Sequence, residues 1–340
     1  MNLFATTCIS GLQDIVRKYL TDDLAQTSIT AIYDGMIFYK TSASISDLRK
    51  LRYVNNTFLV LKIIHEKDMS SHELTRQIID DHKIDDIPKD ILKDVKNFRI
   101  VISKENVLTA IDNHNLIKIE NYFSKILNLK INRANPDMEV WIITRSEGFT
   151  FVGIRVTKHA SYEKTLHKGE LHPQIVNIMC RLPDIQPTDA VYDPFAGYGA
   201  IPLECAKYFR TAKIFAGEKD KHIYFLLKDK LSKTKVVVGK WDGLNNSSLT
   251  NESIDKIITD PPWGQFREIS EIDNFYFLML KEFERLLKPD GSIVLLTSQK
   301  DLLKSQLEKT NRLILSNEYS ILLSGKKSGI FIVKKITPAV

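Results

Sequence analysis

Two adjacent prolines, Pro261 and Pro262, set the tightest limit on how this chain can fold. They follow Ile254–Thr259, a β-branched and mostly apolar run that favours a strand. Neither proline has a backbone N–H to give to a ladder, so a central strand must stop there. The chain therefore presents Asp260 and Trp263 at the carboxyl end of a strand. In open α/β sheets that edge is where ligands bind.

From Pro173 onward strands and helices alternate, the pattern of a doubly wound sheet. Residues 174–181 read as a helix and 190–192 as a short strand. That strand runs into Asp193-Pro194-Phe195-Ala196-Gly197-Tyr198-Gly199-Ala200, which opens a helix to about Tyr208. Gly197 and Gly199 allow a tight turn and close approach of a ligand to the backbone. The spacing is not G-x-G-x-x-G, so a dinucleotide dehydrogenase fits poorly. The strand Lys213–Gly217 ends at Glu218, where an acid can accept from both hydroxyls of a ribose. The strand 236–238 leads to Asp242. Asp193, Glu218, Asp242 and Asp260 thus stand at the carboxyl ends of four successive strands. An amphipathic helix over 275–287 follows, closed by Lys288-Pro289-Asp290-Gly291, then a strand over 292–298 and a helix over 301–309. Leu313–Leu323 and residues 329–335 read as a terminal hairpin.

The amino group of guanine or adenine is a poor nucleophile because its lone pair is delocalised into the ring. Two acceptors, each taking one N–H, draw the nitrogen towards tetrahedral geometry and localise that pair. A carboxylate is acceptor-only, and a carbonyl preceding proline is an acceptor fixed in place. An aromatic ring two residues on supplies a stacking surface for a base. Asp260, the Pro261 carbonyl and Trp263 match these three roles.

Asp260-Pro261-Pro262-Trp263-Gly264 resembles motif IV of amino-methyltransferases that use S-adenosylmethionine. The strand–Asp–Pro–Phe–x–Gly–x–Gly stretch resembles their motif I, in which Ser or Thr usually stands at the position of Tyr198. A reversed hairpin after the fifth strand matches their seven-stranded sheet. The resemblance implies that Asp193, Pro194, Phe195, Ala196, Gly197, Gly199, Glu218, Asp242 and Asp260 bind S-adenosylmethionine, with Asp242 on the adenine amino group. It implies that Asp260 and Pro261 orient the amine, and that Pro262, Trp263 and Gly264 hold the base. This chemistry needs no metal.

Residues 1–65 read as βαββαβ. The elements are a strand at 3–7, a helix at 11–20, strands at Ser28–Tyr33 and 36–39 joined at Asp34-Gly35, a helix at 46–53 and a strand at 57–64. That order is a ferredoxin-like unit, which by itself carries no function. Residues 66–97 are charged and helical in pattern, with Asp80-Asp81 and Asp85-Asp86 on a solvated face and loop. A strand at 98–103, a helix at 116–127, Asn135-Pro136-Asp137 and strands at 138–144 and 150–156 follow. This stretch resembles a THUMP domain, an RNA-binding module of tRNA- and rRNA-modifying enzymes. Phe4-Ala5-Thr6-Thr7 with Gly11-Leu12 is similar to the start of the ferredoxin-like domain that precedes it. Arg155, Lys158, Lys164 and Lys168, against the single acid Glu163, mark a basic linker, and His172-Pro173 marks a helix start.

Composition is compatible with this reading. A chain of 340 residues allows two or three domains, and 43% hydrophobic residues suffice for their cores. A net charge of +6 suits a nucleic-acid partner without requiring one. Basic and acidic side chains nearly balance over residues 1–160, so an RNA surface there would be a local patch. Cys8, Cys180 and Cys205 show no C-x-x-C spacing and read as isolated buried thiols in a reducing compartment. The first residues do not resemble a signal peptide, and no run approaches the ~20 apolar residues of a membrane span. A cytoplasmic protein without membrane contact is expected.

The fold class expected is α/β: a ferredoxin-like domain at 1–65, a THUMP domain at 66–157, a basic linker at 158–172 and a Rossmann-like, seven-stranded methyltransferase domain at 173–340. The whole is similar to THUMP-containing tRNA guanine-N2 methyltransferases. That resemblance implies methylation of a guanosine N2 amine in tRNA, in or near the acceptor stem, at a site of the position 6 or 10 type. The chain is expected to act as a monomer, with an accessory subunit left open. The alternatives are an adenine N6 amino-methyltransferase on RNA or DNA, an rRNA guanine-N2 methyltransferase and an inactive RNA-binding subunit.

Overall fold

The computed structural model describes residues 1–66, 69–80, 87–157, 166–167, 169–209, 213–263, 271–323 and 325–337. Asp81, Asp85 and Asp86 of the acidic stretch, and Lys158, Glu163, Lys164 and Lys168 of the linker, lie outside them. The chain divides into two compact units. One comprises Met1–Cys8 and Gln13–Ala160, the other Ile9–Leu12 and Ser161–Val340.

The first unit opens with β1 (Asn2–Thr7), α1 (Gln13–Asp23), β2 (Ser28–Tyr33), β3 (Met36–Thr41), α2 (Ile45–Lys50) and β4 (Asn56–Ile64). Gly11 sits at φ 91°, so α1 starts two residues later than its apolar spacing suggests. Next come α3 (Ser71–Ile79), α4 (Lys89–Leu92), β5 (Asn97–Lys104), β6 (Val107–Leu108) and α5 (Asn113–Leu127). The unit ends with β7 (Lys130–Ile131), β8 (Met138–Arg145) and β9 (Phe149–Arg155). α5 begins earlier than expected because the Asp112 side chain caps it, accepting the Asn115 N–H at 3.0 Å.

All nine strands share one sheet, in the order β2-β3-β1-β4-β9-β8-β5-β6 with β7 beside β5. Strands from both sides of residue 65 are therefore hydrogen-bonded together. β9, the last strand of the unit, lies between β4 and β8, antiparallel to both. Asn135-Pro136-Asp137 has a local structural role. The Asp137 carboxylate accepts the Lys96 and Asn97 N–H groups at 2.9 and 3.2 Å, fixing where β5 and β8 begin.

The second unit contains α6 (Pro173–Arg181), β10 (Ala190–Asp193), α7 (Ala200–Tyr208), β11 (Lys213–Gly217), α8 (Lys221–Lys230) and β12 (Val237–Gly239). It continues with β13 (Ile254–Thr259), α9 (Ile272–Leu286), β14 (Leu287–Thr297), α10 (Lys300–Leu307), β15 (Leu313–Leu323) and β16 (Lys326–Lys335). His172 is the N-cap of α6, with proline in its first turn. The seven strands run in the order β12-β11-β10-β13-β14-β16-β15. The first five are parallel and β16 is antiparallel, which is the sheet of the Rossmann-like methyltransferases. β16, the last strand in the sequence, again lies inside its sheet, between β14 and β15.

Lys288–Gly291 does not separate helix from strand as its turn chemistry suggests. β14 already pairs with β13 at Leu287, and residues 288–291 bulge out before Ser292 resumes opposite Lys256. α9 buries Tyr276, Met279, Leu280, Phe283 and Leu286 on the core, each contributing about 1.5–3 kcal/mol. The cysteines are not all isolated. α6 and α7 bring Cys180 and Cys205 together, Sγ to Sγ 3.3 Å, while burial pushes the Cys8 thiol up to about 12.

Candidate functional site

The sheet order places β10 beside β13, while the chain leaves β10 in the other direction, towards β11. This is the topological switch point, where the connections diverge and leave a crevice beyond the strand ends. The last residue of β10 is Asp193, and the residue after β13 is Asp260.

Asp193 is 3% exposed. One of its oxygens accepts from the Thr259 hydroxyl at 2.8 Å and from the Phe195 N–H at 3.2 Å, tying the two strand ends together. The turn that follows closes through backbone bonds, Ala196 N–H to the Gly217 carbonyl at 2.9 Å and Gly199 N–H to the Ala196 carbonyl at 2.7 Å. Gly197 and Gly199 have φ of 51° and 81°, and Gly199 is the N-cap of α7. Pro194 and Ala196 are buried, Ala196 against Ala216, Leu227 and Leu231. The ring of half-buried Phe195 packs on the core, its centroid 5.6 Å from that of Phe275. Tyr198 stacks flat on His167, with centroids 4.1 Å apart.

Glu218 serves this same turn. Its carboxylate accepts the Gly197 N–H at 3.2 Å and the Asp220 N–H at 2.7 Å. Asp242 pairs with Lys219 at 2.6 Å and accepts the Leu244 N–H at 3.1 Å. Three of the four acids read from the sequence are thus held by partners in the folded chain.

Asp260 differs. Its Oδ1 is shut off from solvent and accepts no hydrogen bond from the described residues. Burial raises its carboxyl well above the ordinary range, the Asp193 charge raises it further, and the Trp263 N–H partly offsets both. Pro261 is buried, Pro262 exposed and Trp263 half-buried, while Gly264 lies outside the described residues. The Trp263 indole N–H donates to the Leu296 carbonyl at 3.1 Å, and the Gln299 side chain donates to the Trp263 carbonyl at 2.9 Å. The Gln299 N–H in turn donates to Thr297 Oγ1 at 3.0 Å, which is 2.7 Å from the Tyr276 hydroxyl. Sequence reading missed Thr259, Gln299, Thr297 and Tyr276. No motif marks them. Thr259 ends β13 beside Asp260, the pairing of β14 with β13 brings Thr297 and Gln299 near the loop, and α9 supplies Tyr276.

Burial also pushes Asp193 up to about 7. The Glu218 charge adds to the rise, while the Thr259 hydroxyl and Phe195 N–H hold it back. The folded state thus binds this proton more tightly than the unfolded chain. Its contribution to stability is full at low pH and is lost as pH rises from the ordinary carboxylate range through about 7. Asp193→Asn, neutral throughout, is expected to remove a slope of about 1.4 kcal/mol per pH unit within that window. Thermal denaturation of both proteins at a series of pH values checks this, and parallel curves would refute the assignment.

The arrangement is a glycine turn with positive-φ backbone, a carboxylate bracing it and, one strand away, a buried acceptor with an unused lone pair. Together they suit a polar, partly cationic ligand and a group that donates N–H. Among the described residues no three His, Cys, Asp or Glu side chains cluster as a metal site would require, and no helix is long and apolar enough to cross a membrane.

Comparison with known proteins places these residues among relatives. Residues 161–320 match the family described as UPF0020, RMKL-like, methyltransferase domain. A Bos taurus protein, tRNA (guanine(6)-N(2))-methyltransferase THUMP3, is 30% identical over 202 residues, 54% of this chain and 39% of that protein. The tRNA (guanine(10)-N2)-dimethyltransferase of Methanocaldococcus jannaschii is 25% identical over 230 residues, covering 61% and 63%. The chain thus spans less than two thirds of the length of either relative. The crystal structure of TrmN from Thermus thermophilus superposes with a TM-score of 0.79 at 20% identity, covering 99% of this chain and 100% of that one. At that identity the likeness speaks for the fold.

Proposed function

We propose that the chain, whose residues 161–320 match the RMKL-like methyltransferase domain, uses S-adenosylmethionine to methylate the exocyclic N2 amine of a guanosine in tRNA. The unpartnered, buried Oδ1 of Asp260 at the switch point carries this reading. A buried acceptor without a donor costs about 1–3 kcal/mol, a cost that is removed when a ligand N–H arrives.

In this reading Asp193, Pro194, Phe195, Ala196, Gly197, Gly199, Glu218, Asp242 and Asp260 hold the cofactor. Several act through the turn that they shape, as Glu218 does by bracing the Gly197 N–H. The bound cofactor supplies an electrophilic methyl group. Asp260 Oδ1 and the Pro261 carbonyl each accept one amine N–H, which localises the nitrogen lone pair for attack. A carboxylate raised by burial is also a fit acceptor for the proton that the nitrogen sheds. Pro262, Trp263 and Gly264 hold the base. The indole edge is anchored to Leu296, so the ring is fixed before substrate arrives and little ordering remains to be done.

Residues 66–157 act as the THUMP module that captures RNA. The modified guanosine lies in or near the acceptor stem, a position of the 6 or 10 type, in keeping with the names of both relatives. The chain works in the cytoplasm as a monomer or with an accessory subunit.

The deciding experiment is single-turnover transfer of labelled methyl to unmodified tRNA, followed by digestion to nucleosides. N2-methylguanosine is the expected product. N6-methyladenosine, or no transfer to any RNA, would overturn the proposal.

A further inference from the structure

A cavity of about 330 Å³ lies in the first unit on one face of its nine-stranded sheet. Pair register puts its walls on that face: Phe38 stands opposite both Ala31 and Ala5, and Ala5 opposite Phe58. Three aromatic rings line it and touch one another. Tyr33 and Phe149 are 4.9 Å apart between centroids, Phe38 and Phe149 5.7 Å, and Tyr33 and Phe38 6.0 Å. Phe38 and Phe149 are buried and Tyr33 is half-buried, so the rings are held while one remains open to the cavity. Lys40 and His65, both exposed, stand in the lining, which includes no acidic side chain among the described residues.

The same face continues across β9 and β8. There Arg99 and Arg155 flank Glu139, each donating to it at 3.0 Å, which leaves an excess of one positive charge. Aromatic walls held on a sheet, with cations at the rim, match the chemistry of an unpaired nucleotide. The base stacks on the rings and the phosphate is neutralised at the rim. The volume is at the lower end of ligand cavities, which suits one base better than a larger ligand.

We propose that this cavity binds an unpaired nucleobase of the RNA substrate, with a neighbouring phosphate at Lys40 and His65. It would be a contact separate from the base held at Asp260. This inference rests on the RNA-methyltransferase reading above.

The test uses the full chain, a single-stranded oligoribonucleotide containing 2-aminopurine, and unmodified tRNA. Wild-type protein is expected to quench the fluorescence on stacking. Tyr33→Leu should weaken binding about 5- to 150-fold, the range of one lost base stack. Lys40→Glu, at an exposed position where folding is not at risk, should weaken binding about 10-fold and reduce the salt dependence by about one counterion. Both variants should keep wild-type affinity for S-adenosylmethionine. If wild-type protein methylates tRNA while Lys40→Glu and a folded Tyr33→Leu bind both RNAs as tightly as it does, the site falls and the methyltransferase reading stands. A wild-type chain that binds neither RNA removes both.

Discussion

Asp260→Ala is expected to abolish methyl transfer, with a single-turnover deficit on the order of 10³-fold or more, while affinity for tRNA stays nearly unchanged. The reason is that the carboxylate matters most when the amine nitrogen rehybridises, so its loss falls on the chemical step. Asp260→Asn keeps a carbonyl acceptor without the charge and should be slowed by about 10- to 1000-fold. The structure adds an expectation about stability. Asp260 carries a buried oxygen without a donor among the described residues, and its charge faces that of Asp193. Removing the carboxylate should therefore leave the ligand-free protein as stable as wild type or more so, as seen by thermal denaturation. An Ala variant that transfers methyl at the wild-type rate would discard the catalytic assignment. One that merely unfolds would point to a structural role.

Gly199→Ala should nearly eliminate cofactor binding and destabilise the second unit. At φ 81° a Cβ costs about 1–2 kcal/mol. The same atom would sit 2.6 Å from Leu227 Cδ1, the far end of a flexible side chain on α8 that can turn aside at little cost. The backbone cost predicts a fall in melting temperature of about 2–8 °C. Moving residue 199 out of the positive-φ region to escape that cost would shift the start of α7, which sets the turn. Calorimetry against S-adenosylmethionine and a melting curve measure the two effects. Unchanged values in both would show that the turn tolerates a side chain.

Much of the catalytic unit was legible because its signals are local. Prolines end β13, glycines open α7, and each acid follows its own strand. What those acids do in the folded chain was not legible. The Thr259 hydroxyl bond to Asp193 links residues 66 positions apart, and the Trp263 bond to Leu296 spans 33. Such contacts follow from which strands become neighbours, and composition does not encode that. The same holds for Cys180 and Cys205, which meet only because α6 packs on α7. In the first unit the seven longer strands were readable from local pattern, whereas the two-residue strands β6 and β7 are too short to show one. The junction of β4 with β9, which joins both halves in one sheet, depends on edges that no local pattern announces.

The interior placement of β9 and β16 bears on how the chain is made. Each is the last-translated strand of its sheet, yet each fills a gap between strands translated earlier. On the ribosome, the growing chain must therefore carry unfilled strand edges on β4 and β8, and later on β14 and β15, until the final strand emerges. Neither unit can complete its ladder piecemeal from its amino end. Nascent chains stalled before residue 149 or 326 should remain open to proteases and to strand-pairing partners, and molecular chaperones would have their longest hold on this protein in those intervals.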